Sequence, residues 1–282
     1  MQARYRLTIR CPDQVGIVAA VADFLARHGA SIVEANHHTD LEEGWFFMRH
    51  EISDIQLDSA AFQAAFAQLA ERFQMRWRWH EIQQRQRVAL LASKEPHCLL
   101  DVLHRWQCED LPCDIPCVIA NHEAMKQYAD WFGVPFHFVD FNHQSSTEAF
   151  AEIAALLKQY EIDTVVLARF MRIFPSDFCQ QYRHRMINIH HSFLPSFVGA
   201  KPYHQAYERG VKLIGATCHY VTEDLDEGPI IEQDVVRISH ADSLADMVRK
   251  GKDCERRALA AGLRMHLQDR VLVHGHKTIV FA

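Results

Sequence analysis

The sequence predicts an α/β protein with two domains: an N-terminal βαββαβ domain and a doubly wound, mostly parallel, Rossmann-like sheet. Three observations predict this fold class. Apolar and polar residues alternate in the opening segment, and five short apolar runs alternate with helical patterns from residue 88 onward. A polar stretch without glycine, residues 80–87, separates the two regions. We therefore expect one domain over residues 1–84 and the other over residues 85–282.

The first domain begins with a half-buried strand, in which Tyr5, Leu7 and Ile9 alternate with polar residues. Valine, alanine and leucine then recur at helical spacing until Gly29. The elements predicted after the first strand are a helix over 15–25, strands over 31–35 and 45–52, a helix over 60–73 and a strand over 74–80. This order predicts the split βαβ layout, with the helices on one face of an antiparallel sheet.

The second domain repeats a pattern of short apolar strands and helices, which favours a parallel sheet. The predicted strands are 88–93, 116–120, 136–140, 163–168 and 186–190, and the helices between them are 97–106, 122–132, 147–160 and 175–182. The pattern then changes, because the strands 216–222 and 229–236 are joined by an acidic turn and predict an antiparallel pair at one edge. A helix over 243–266 and a strand over 278–282 end the chain.

Composition excludes several classes of protein. The chain has 282 residues and a net charge of −6 without a basic block, so nucleic acid is not an expected partner. No apolar run is long enough to span a bilayer and no signal peptide is evident, so we expect a cytoplasmic protein with no membrane partner. Its eight cysteines include no C-x-x-C pair, and the cluster Cys108, Cys113 and Cys117 lacks the spacing of a metal site.

The segment NIHHSFLPSF places polar side chains where a buried strand meets a loop. Asn188 and His190 are two residues apart on the strand 186–190, so they face the same side at its carboxyl end, where open α/β sheets bind ligands. An amide donor beside an imidazole suits a reaction in which negative charge grows on a carbonyl oxygen. The acidic turn supplies a carboxylate for the imidazole, and the spacing leaves four candidates open: Glu223, Asp224, Asp226 and Glu227.

These residues resemble the folate-dependent formyltransferase domain of glycinamide ribonucleotide transformylases. The matching positions are Asn188, His190, Ser192, Leu194, Pro195, His219, Val221, Asp226 and Gly228. The resemblance implies that Asn188, His190 and Asp226 are catalytic. It also implies a substrate-binding set, part of which lies in the segment LARFMRIF: Met171, Arg172, Ile173, Phe174, His219, Thr222 and Gly228. Two interpretations are open for Arg169 and Arg172: they contact the glutamate tail of the folate, or they are solvated surface arginines. Lys201 is a further candidate for contact with the substrate.

One departure from the transformylases concerns the phosphate of the amine substrate. A glycine-rich loop cradles that phosphate in the family, whereas this chain has no glycine between Gly44 and Gly133. Water is then the expected acceptor. With its N-terminal domain, the whole chain resembles the formyltetrahydrofolate deformylases, which implies hydrolysis of 10-formyltetrahydrofolate to formate and tetrahydrofolate. No metal and no cofactor beyond the folate substrate is expected.

The N-terminal segment RCPDQVGIVAAVADFL resembles an ACT domain, which has the ferredoxin-like fold. The resemblance implies an amino-acid effector bound at the loop after the first strand, with Asp13, Val15, Gly16 and Ile17 as effector-binding residues. Methionine and glycine are the candidates that the resemblance implies, and nothing in the loop selects between them. Because ACT domains often pair through their sheets or helices, the resemblance also implies a homo-oligomer.

Two other functions are weighed against hydrolysis. One is formyl transfer to an amine, such as a nucleotide or the aminoacyl end of a transfer RNA. The missing glycine-rich loop argues against the nucleotide, and the missing basic surface argues against the transfer RNA. The other is an amino-acid sensor that binds folate without catalysis, against which the complete set of Asn188, His190 and Asp226 argues.

Overall fold

Residues 3–196 and 202–282 are described by the structure, a computed structural model. Contacts between Cα atoms divide the chain into two compact units. The first contains the chain up to Arg85 together with Asp269–His274 and Ile279–Ala282, and the second contains Gln86–Gln268 and Gly275–Thr278. In the described residues, no helix is both long and apolar enough to cross a membrane.

The first unit has the βαββαβ order that the sequence predicts. Its elements are β1 (Tyr5–Pro12), α1 (Ile17–Arg27), β2 (Ser31–Asp40), β3 (Trp45–Ser53), α2 (Ser59–Arg72) and β4 (Arg76–Glu81). The strands form an antiparallel sheet in the order β2-β3-β1-β4. Apolar side chains from one face of this sheet pack against both helices, and Phe62 and Phe66 of α2 are fully buried there. The ferredoxin-like fold of this unit is therefore confirmed.

The second unit is built on a seven-stranded sheet. Its first half contains β5 (Gln86–Ala92), α3 (His97–Gln107), β6 (Cys113–Ala120), a short 3₁₀ turn (Glu123–Met125), α4 (Lys126–Trp131), β7 (Phe136–Phe138) and α5 (Ser146–Gln159). Its second half contains β8 (Thr164–Ala168), α6 (Ser176–Gln181), β9 (Met186–His190), α7 (Pro202–Arg209), β10 (Leu213–Tyr220), β11 (Ile230–Arg237) and α8 (Leu244–Leu267). The helix α7 was not predicted from the sequence.

The sheet order β11-β10-β9-β8-β5-β6-β7 places the candidate site at its middle. From β9 to β7 all neighbours are parallel, while β10 and β11 add an antiparallel pair beside β9, as the sequence predicts. The carboxyl ends of β5, β8 and β9 therefore lie next to one another at one edge of the sheet. Side chains of α5 and α6 cover one face, and α8 packs against β9, β10 and β11 on the other.

The end of the chain differs from the predicted domain division. Two strands are present, β12 (Val271–His274) and β13 (Lys277–Val280), where the sequence predicted one. Leu272 and Phe281 pack against Phe47 of β3, on the sheet face opposite the helices of the first unit. Asp269 accepts a hydrogen bond from the buried Arg6, at 3.5 Å. The sequence predicts that the whole C-terminal segment belongs to the domain over 85–282, whereas Asp269–His274 and Ile279–Ala282 belong with the first unit.

A pair of hydrogen-bonded histidines, one exposed and one buried, lies in the sheet of the first unit. The Nε2 atoms of His37 on β2 and His50 on β3 are 2.7 Å apart, so one ring donates a hydrogen bond to the other. His50 is 1% exposed. Its burial, helped by His37 and Arg49, lowers its pKa from 6.5 to about 4. The sequence shows adjacent histidines at 37 and 38, but it does not reveal that His37 has a partner on the next strand.

The His50 pair predicts an acid-sensitive first unit. Since the folded pKa is below the unfolded one, falling pH protonates the unfolded chain first, and stability decreases from about pH 6.5 down to about pH 4. Between about pH 7 and pH 4, wild type should lose up to about 3 kcal/mol more stability than His50→Leu. Urea unfolding across this range measures the difference, with His38→Leu on the exposed strand surface as the control. Parallel pH curves for wild type and His50→Leu would contradict the prediction.

Candidate active site

One strand and one turn bring the three predicted catalytic residues together. Asn188 and His190 lie on β9, and Asp226 lies in the turn between β10 and β11. The Nδ1 atom of His190 is 3.2 Å from Oδ1 of Asp226. Both side chains are largely buried, at 7% and 10% exposure. The arrangement is an imidazole held against a carboxylate at the carboxyl end of the middle strands.

His219 holds the amide of Asn188. It lies directly across from Asn188 in the antiparallel pairing of β9 and β10. Its Nδ1 lies 2.9 Å from the carbonyl oxygen of Tyr220, which can only accept, so Nδ1 carries the proton. Its Nε2 then accepts a hydrogen bond from Nδ2 of Asn188, at 3.2 Å. Burial lowers the pKa of His219, which keeps the ring neutral and able to accept this bond.

The carboxylate of Asp226 is ionised in this setting. Burial alone would raise its pKa, but the hydrogen bond from His190 and the nearby imidazoles outweigh burial and lower it. Of the four candidate carboxylates, Asp226 is the one that meets His190, while Glu223 accepts a hydrogen bond from Gln180, at 2.9 Å. Asp226 has a φ of 59°, in the left-handed region that few residues other than glycine adopt. The turn thus accepts local strain at the residue that it presents to His190.

Gly228 shapes this turn and does not line the cavity described below. A Cβ atom at this position would lie 1.7 Å from the carbonyl oxygen of Tyr220, which is the acceptor for His219. Only glycine therefore lets the returning chain pass so close to β10. The sequence assigned Gly228 to substrate binding, but its place in the structure is behind the turn, where it supports Asp226 and His219.

A cavity of about 580 Å³ opens beside these residues. Its volume is in the range of small-molecule sites. The catalytic candidates Asn188, His190 and Asp226 form part of its wall. Six of the seven predicted substrate-binding residues also line it: Met171, Arg172, Ile173, Phe174, His219 and Thr222. The structure adds wall residues that the sequence reasoning did not select, including Phe170, Cys179, Val221 and Leu225.

The arginines considered for the folate tail have different surroundings. The guanidinium of Arg172 lies over the ring of Phe141, 4.7 Å from its centroid, at the edge of the cavity. Arg169 is largely buried, and its Nη1 lies 3.4 Å from Oε2 of Glu255. It is therefore neither solvated surface nor part of the described cavity wall. Lys201, the further candidate contact, lies outside the described residues.

The nitrogen Nε2 of His190 is buried and has no hydrogen-bond partner among the described residues. Because Nδ1 faces Asp226, this second nitrogen is left for a bound molecule. A buried polar atom without a partner is unfavourable, and a substrate oxygen in the cavity would satisfy it. Nδ2 of Asn188 has a second hydrogen that is not used by His219. The two side chains thus offer polar atoms to one small group, such as a carbonyl.

The predicted effector residues lie where β1 passes into α1. Val15 is fully exposed, and Gly16 has a φ of 98° at the start of the helix. The backbone N–H of Asp13 donates to the carbonyl of Gly44, at 2.8 Å. Ile17, in contrast, is 2% exposed and packs in the core of the first unit. The side chain of Ile17 therefore faces away from any effector bound at the loop, although the backbone of Ile17 is part of the loop.

Three potential metal ligands, His97, Cys98 and Glu255, lie together among the described residues. Their surroundings do not fit a cation. Glu255 already accepts from Tyr203, at 2.6 Å, and lies 2.7 Å from Nε2 of His97. The guanidinium of Arg169 adds a positive charge 3.4 Å away. Burial also holds the pKa of the Cys98 thiol well above its usual range, against formation of a thiolate.

Comparison with known proteins defines the class of this chain. The formyl transferase family profile matches residues 86–263, and the ACT domain profile matches residues 5–67. The second match falls within the ferredoxin-like unit, and the first covers the sheet and the cavity. The chain is thus a formyltransferase-fold protein with an ACT domain.

The similar full-length proteins make this more specific. The formyltetrahydrofolate deformylase of Synechocystis sp. is 49% identical over 98% of both chains. A crystal structure of a formyltetrahydrofolate deformylase from Pseudomonas syringae superposes with a TM-score of 0.97 and 56% identity, covering 100% of this chain and 95% of that one. A glycinamide ribonucleotide transformylase from Symbiobacterium toebii reaches a TM-score of 0.67 and 30% identity, covering 70% of this chain and 95% of the other. The chain belongs to the formyltetrahydrofolate deformylase family.

The tight turn at Gly228 predicts the effect of one added methyl group. In Gly228→Ala, the new Cβ would press on the carbonyl of Tyr220 and displace His219 and Asp226. We expect a loss of about 1–3 kcal/mol in the free energy of unfolding, typical of overpacking. Urea denaturation measures this, with the exposed neighbour change Glu227→Ala as the control. Equal stability of the two variants would show that the turn can relax without loss.

Proposed function

We propose that this chain hydrolyses 10-formyltetrahydrofolate to formate and tetrahydrofolate, with Asn188, His190 and Asp226 as the catalytic residues. The observation that carries the catalytic assignment is that Nε2 of His190 has no hydrogen-bond partner among the described residues and lies at a cavity of about 580 Å³, while Nδ1 faces Asp226. Full-length similarity to formyltetrahydrofolate deformylases supports the reaction and does not favour formyl transfer to an amine.

The proposed reaction needs an activated water, a site for the oxyanion and a proton for the leaving nitrogen. Asp226 orients the water and accepts its proton as the water oxygen bonds to the formyl carbon. Asn188 and the protonated ring of His190 donate hydrogen bonds to the carbonyl oxygen as it becomes an oxyanion. The bond between the formyl carbon and the folate nitrogen then breaks, and that nitrogen takes up the proton that Asp226 accepted from the water, which releases tetrahydrofolate and formic acid, the latter ionising to formate.

The pterin of the folate is proposed to lie against the segment from Met171 to Phe174. Polar backbone groups are available there beside apolar walls, because Phe174 is buried while Met171 and Ile173 are exposed to the cavity. The loop is anchored next to β5, because the N–H of Met171 donates to Oγ of Ser93, the residue after that strand, at 3.1 Å. No metal or cofactor is required in this proposal, because the aryl nitrogen already activates the formyl amide.

The wider proposals are a cytoplasmic enzyme that supplies formate for purine synthesis and forms a homo-oligomer. Seven of the eight cysteines are buried free thiols and one is an exposed thiol, which is consistent with a reducing compartment. Exposed apolar residues on the first unit, Val15, Val18, Ile32, Val33 and Leu41, support a contact surface there. The ACT domain supports regulation by an amino acid at the loop of Asp13 to Ile17.

Formate release from 10-formyltetrahydrofolate without an added amine is the expected activity. Asp226→Asn keeps the shape of the side chain but removes the charge that holds His190 and the water. We expect turnover to decrease by about a hundredfold or more, while folate binding changes far less. An enzymatic formate assay and folate titration measure the two quantities.

Glu227→Gln, an exposed amide substitution in the same turn, is the control for Asp226→Asn and should hydrolyse normally. Formate release that requires an amine would indicate transfer, and folate binding without release would indicate a sensor. Near-normal hydrolysis by Asp226→Asn would leave the reaction standing but reject the assigned role of Asp226.

The effector proposal predicts that methionine or glycine changes the rate of formate release. Gly16→Val places a β-branched residue at a φ of 98°, which such residues rarely adopt, and so should distort the loop. We expect the variant to keep its basal rate and lose the response to the amino acid. Rate measurements over a titration of each amino acid test this, with Glu71→Ala, an exposed change on α2 of the same unit, as the control. A wild-type rate that neither amino acid changes would count against regulation by these effectors.

A further inference from the structure

A second buried polar group lies beside the candidate active site. We call it the Glu255 cluster, which consists of His97, Arg169, Tyr203 and Glu255. The carboxylate of Glu255 is 1% exposed and is met by three elements. Tyr203 of α7 donates to its Oε1, His97 of α3 lies 2.7 Å from its Oε2, and Arg169 after β8 lies 3.4 Å from the same oxygen.

Two backbone features that are unfavourable on their own allow the side chains of the Glu255 cluster to meet. Arg169 has a φ of 65°, which directs its side chain from the end of β8 toward Glu255. Gly251 lies inside α8, one turn before Glu255, and a Cβ there would be 2.2 Å from the hydroxyl of Tyr203. The helix therefore contains a poor helix former so that Tyr203 can reach Glu255. Strain of this kind is retained where the surrounding structure requires a particular geometry.

The cluster lies on the opposite side of the sheet edge from the cavity. On β10, Cys218 faces α8, since a Cβ at Gly262 of that helix would be 2.5 Å from its sulfur, whereas the next residue, His219, faces Asn188. Glu255 belongs to α8 and so shares the side of Cys218. Of the described residues, none of the four in the cluster lines the cavity.

The cluster nevertheless adjoins the catalytic histidine. The ring of His191 lies 5.3 Å from that of His190 and 5.9 Å from that of Tyr203, between centroids. Burial, and then the charge of Arg169, lower the pKa of His191 to about 3, so the field of Arg169 reaches this position. A formyl group held by His190 would thus have the folate on one side and the Glu255 cluster on the other.

This second side is where an anionic acceptor would be expected to bind. In open α/β sheets, the helix after a strand near the sheet centre offers its N-terminus to anionic ligands. Here α3 follows β5, and its first residue, His97, contacts a carboxylate of the protein itself. Its N-cap, Pro96, provides no side-chain cap. An internal anion and its arginine thus take the space and the charge that an acceptor would need.

We propose that Glu255 and Arg169 determine the acceptor specificity of the reaction, by closing the side of the formyl group opposite the folate to amines and leaving room for water. This inference rests on the proposed hydrolysis. If the side opposite the folate were open, an amine nitrogen would bond to the formyl carbon, and the bond between that carbon and the folate nitrogen would break. The proton lost by the amine would then replace the formyl group on the folate nitrogen. The products would be a formylated amine and tetrahydrofolate instead of formate.

The test is a partition experiment at about pH 8.5 with the full chain, isotopically labelled 10-formyltetrahydrofolate and glycinamide, a small primary amine without an anionic group that is largely unprotonated at this pH. Arg169→Ala combined with Glu255→Gln removes both charges and opens space without leaving a lone buried ion. Glu255→Gln alone is the second variant, and it retains a side chain that hydrogen-bonds Tyr203. Mass spectrometry measures formylglycinamide and formate from the same reaction.

We expect wild type to give formate, and the double variant to raise the ratio of formylglycinamide to formate by about tenfold or more, with a smaller rise for the single variant. Arg257→Ala is the matched control, since Arg257 is also on α8 and pairs with Asp234 at 2.6 Å, in a more exposed position. If the double or the single variant consumes substrate with the wild-type ratio of formylglycinamide to formate, this inference is overturned and the proposed hydrolysis still stands. Wild type that releases no formate would overturn the proposed function first.

Discussion

The pairing of β10 with β9 is the contact on which the candidate site depends. It places His219 across from Asn188, and it ends at the point where the chain must turn back tightly beneath Tyr220. The turn then delivers Asp226 to His190 from outside the parallel part of the sheet. A doubly wound sheet alone would supply an amide and an imidazole on one strand. The antiparallel addition supplies the acidic partner and fixes the orientation of the amide.

Two buried groups of the site have different charges: His219 is neutral and Asp226 is ionised. His219 is buried beside a backbone carbonyl and stays neutral, so it acts as an acceptor that orients Asn188. Asp226 stays ionised because nearby imidazoles outweigh the effect of burial on its pKa. One imidazole thus orients an amide and the other faces a carboxylate, although both rings lie within a few ångströms of the same oxygen of Asp226. The environment of each ring, and not its residue type, distinguishes their roles.

Much of the fold could be predicted from residue patterns because strand and helix periodicities are local. The two-residue spacing of Asn188 and His190 is local as well, and it placed both on one strand face. The carboxylate that pairs with His190 could not be predicted from local sequence, because four acidic residues share the turn. The left-handed φ of Asp226 is part of the geometry that brings this residue to His190. Contacts between distant segments were beyond sequence reasoning. The ion pair of Arg169 and Glu255 joins the residue after β8 to α8, and His37 meets His50 only because two strands pair in one register.

The return of the chain end to the first unit has a consequence for how this protein can be divided. Phe47 of β3 is covered by Leu272 and Phe281, and Arg6 finds Asp269 there. The unit that contains the ACT domain is therefore not one continuous segment of the chain. A fragment cut after residue 84 would carry an uncovered aromatic side chain and a buried arginine stripped of one acid partner. A fragment that contains the complete unit must also include the C-terminal segments that belong to it, so a fusion protein that carries this unit needs both ends of the chain.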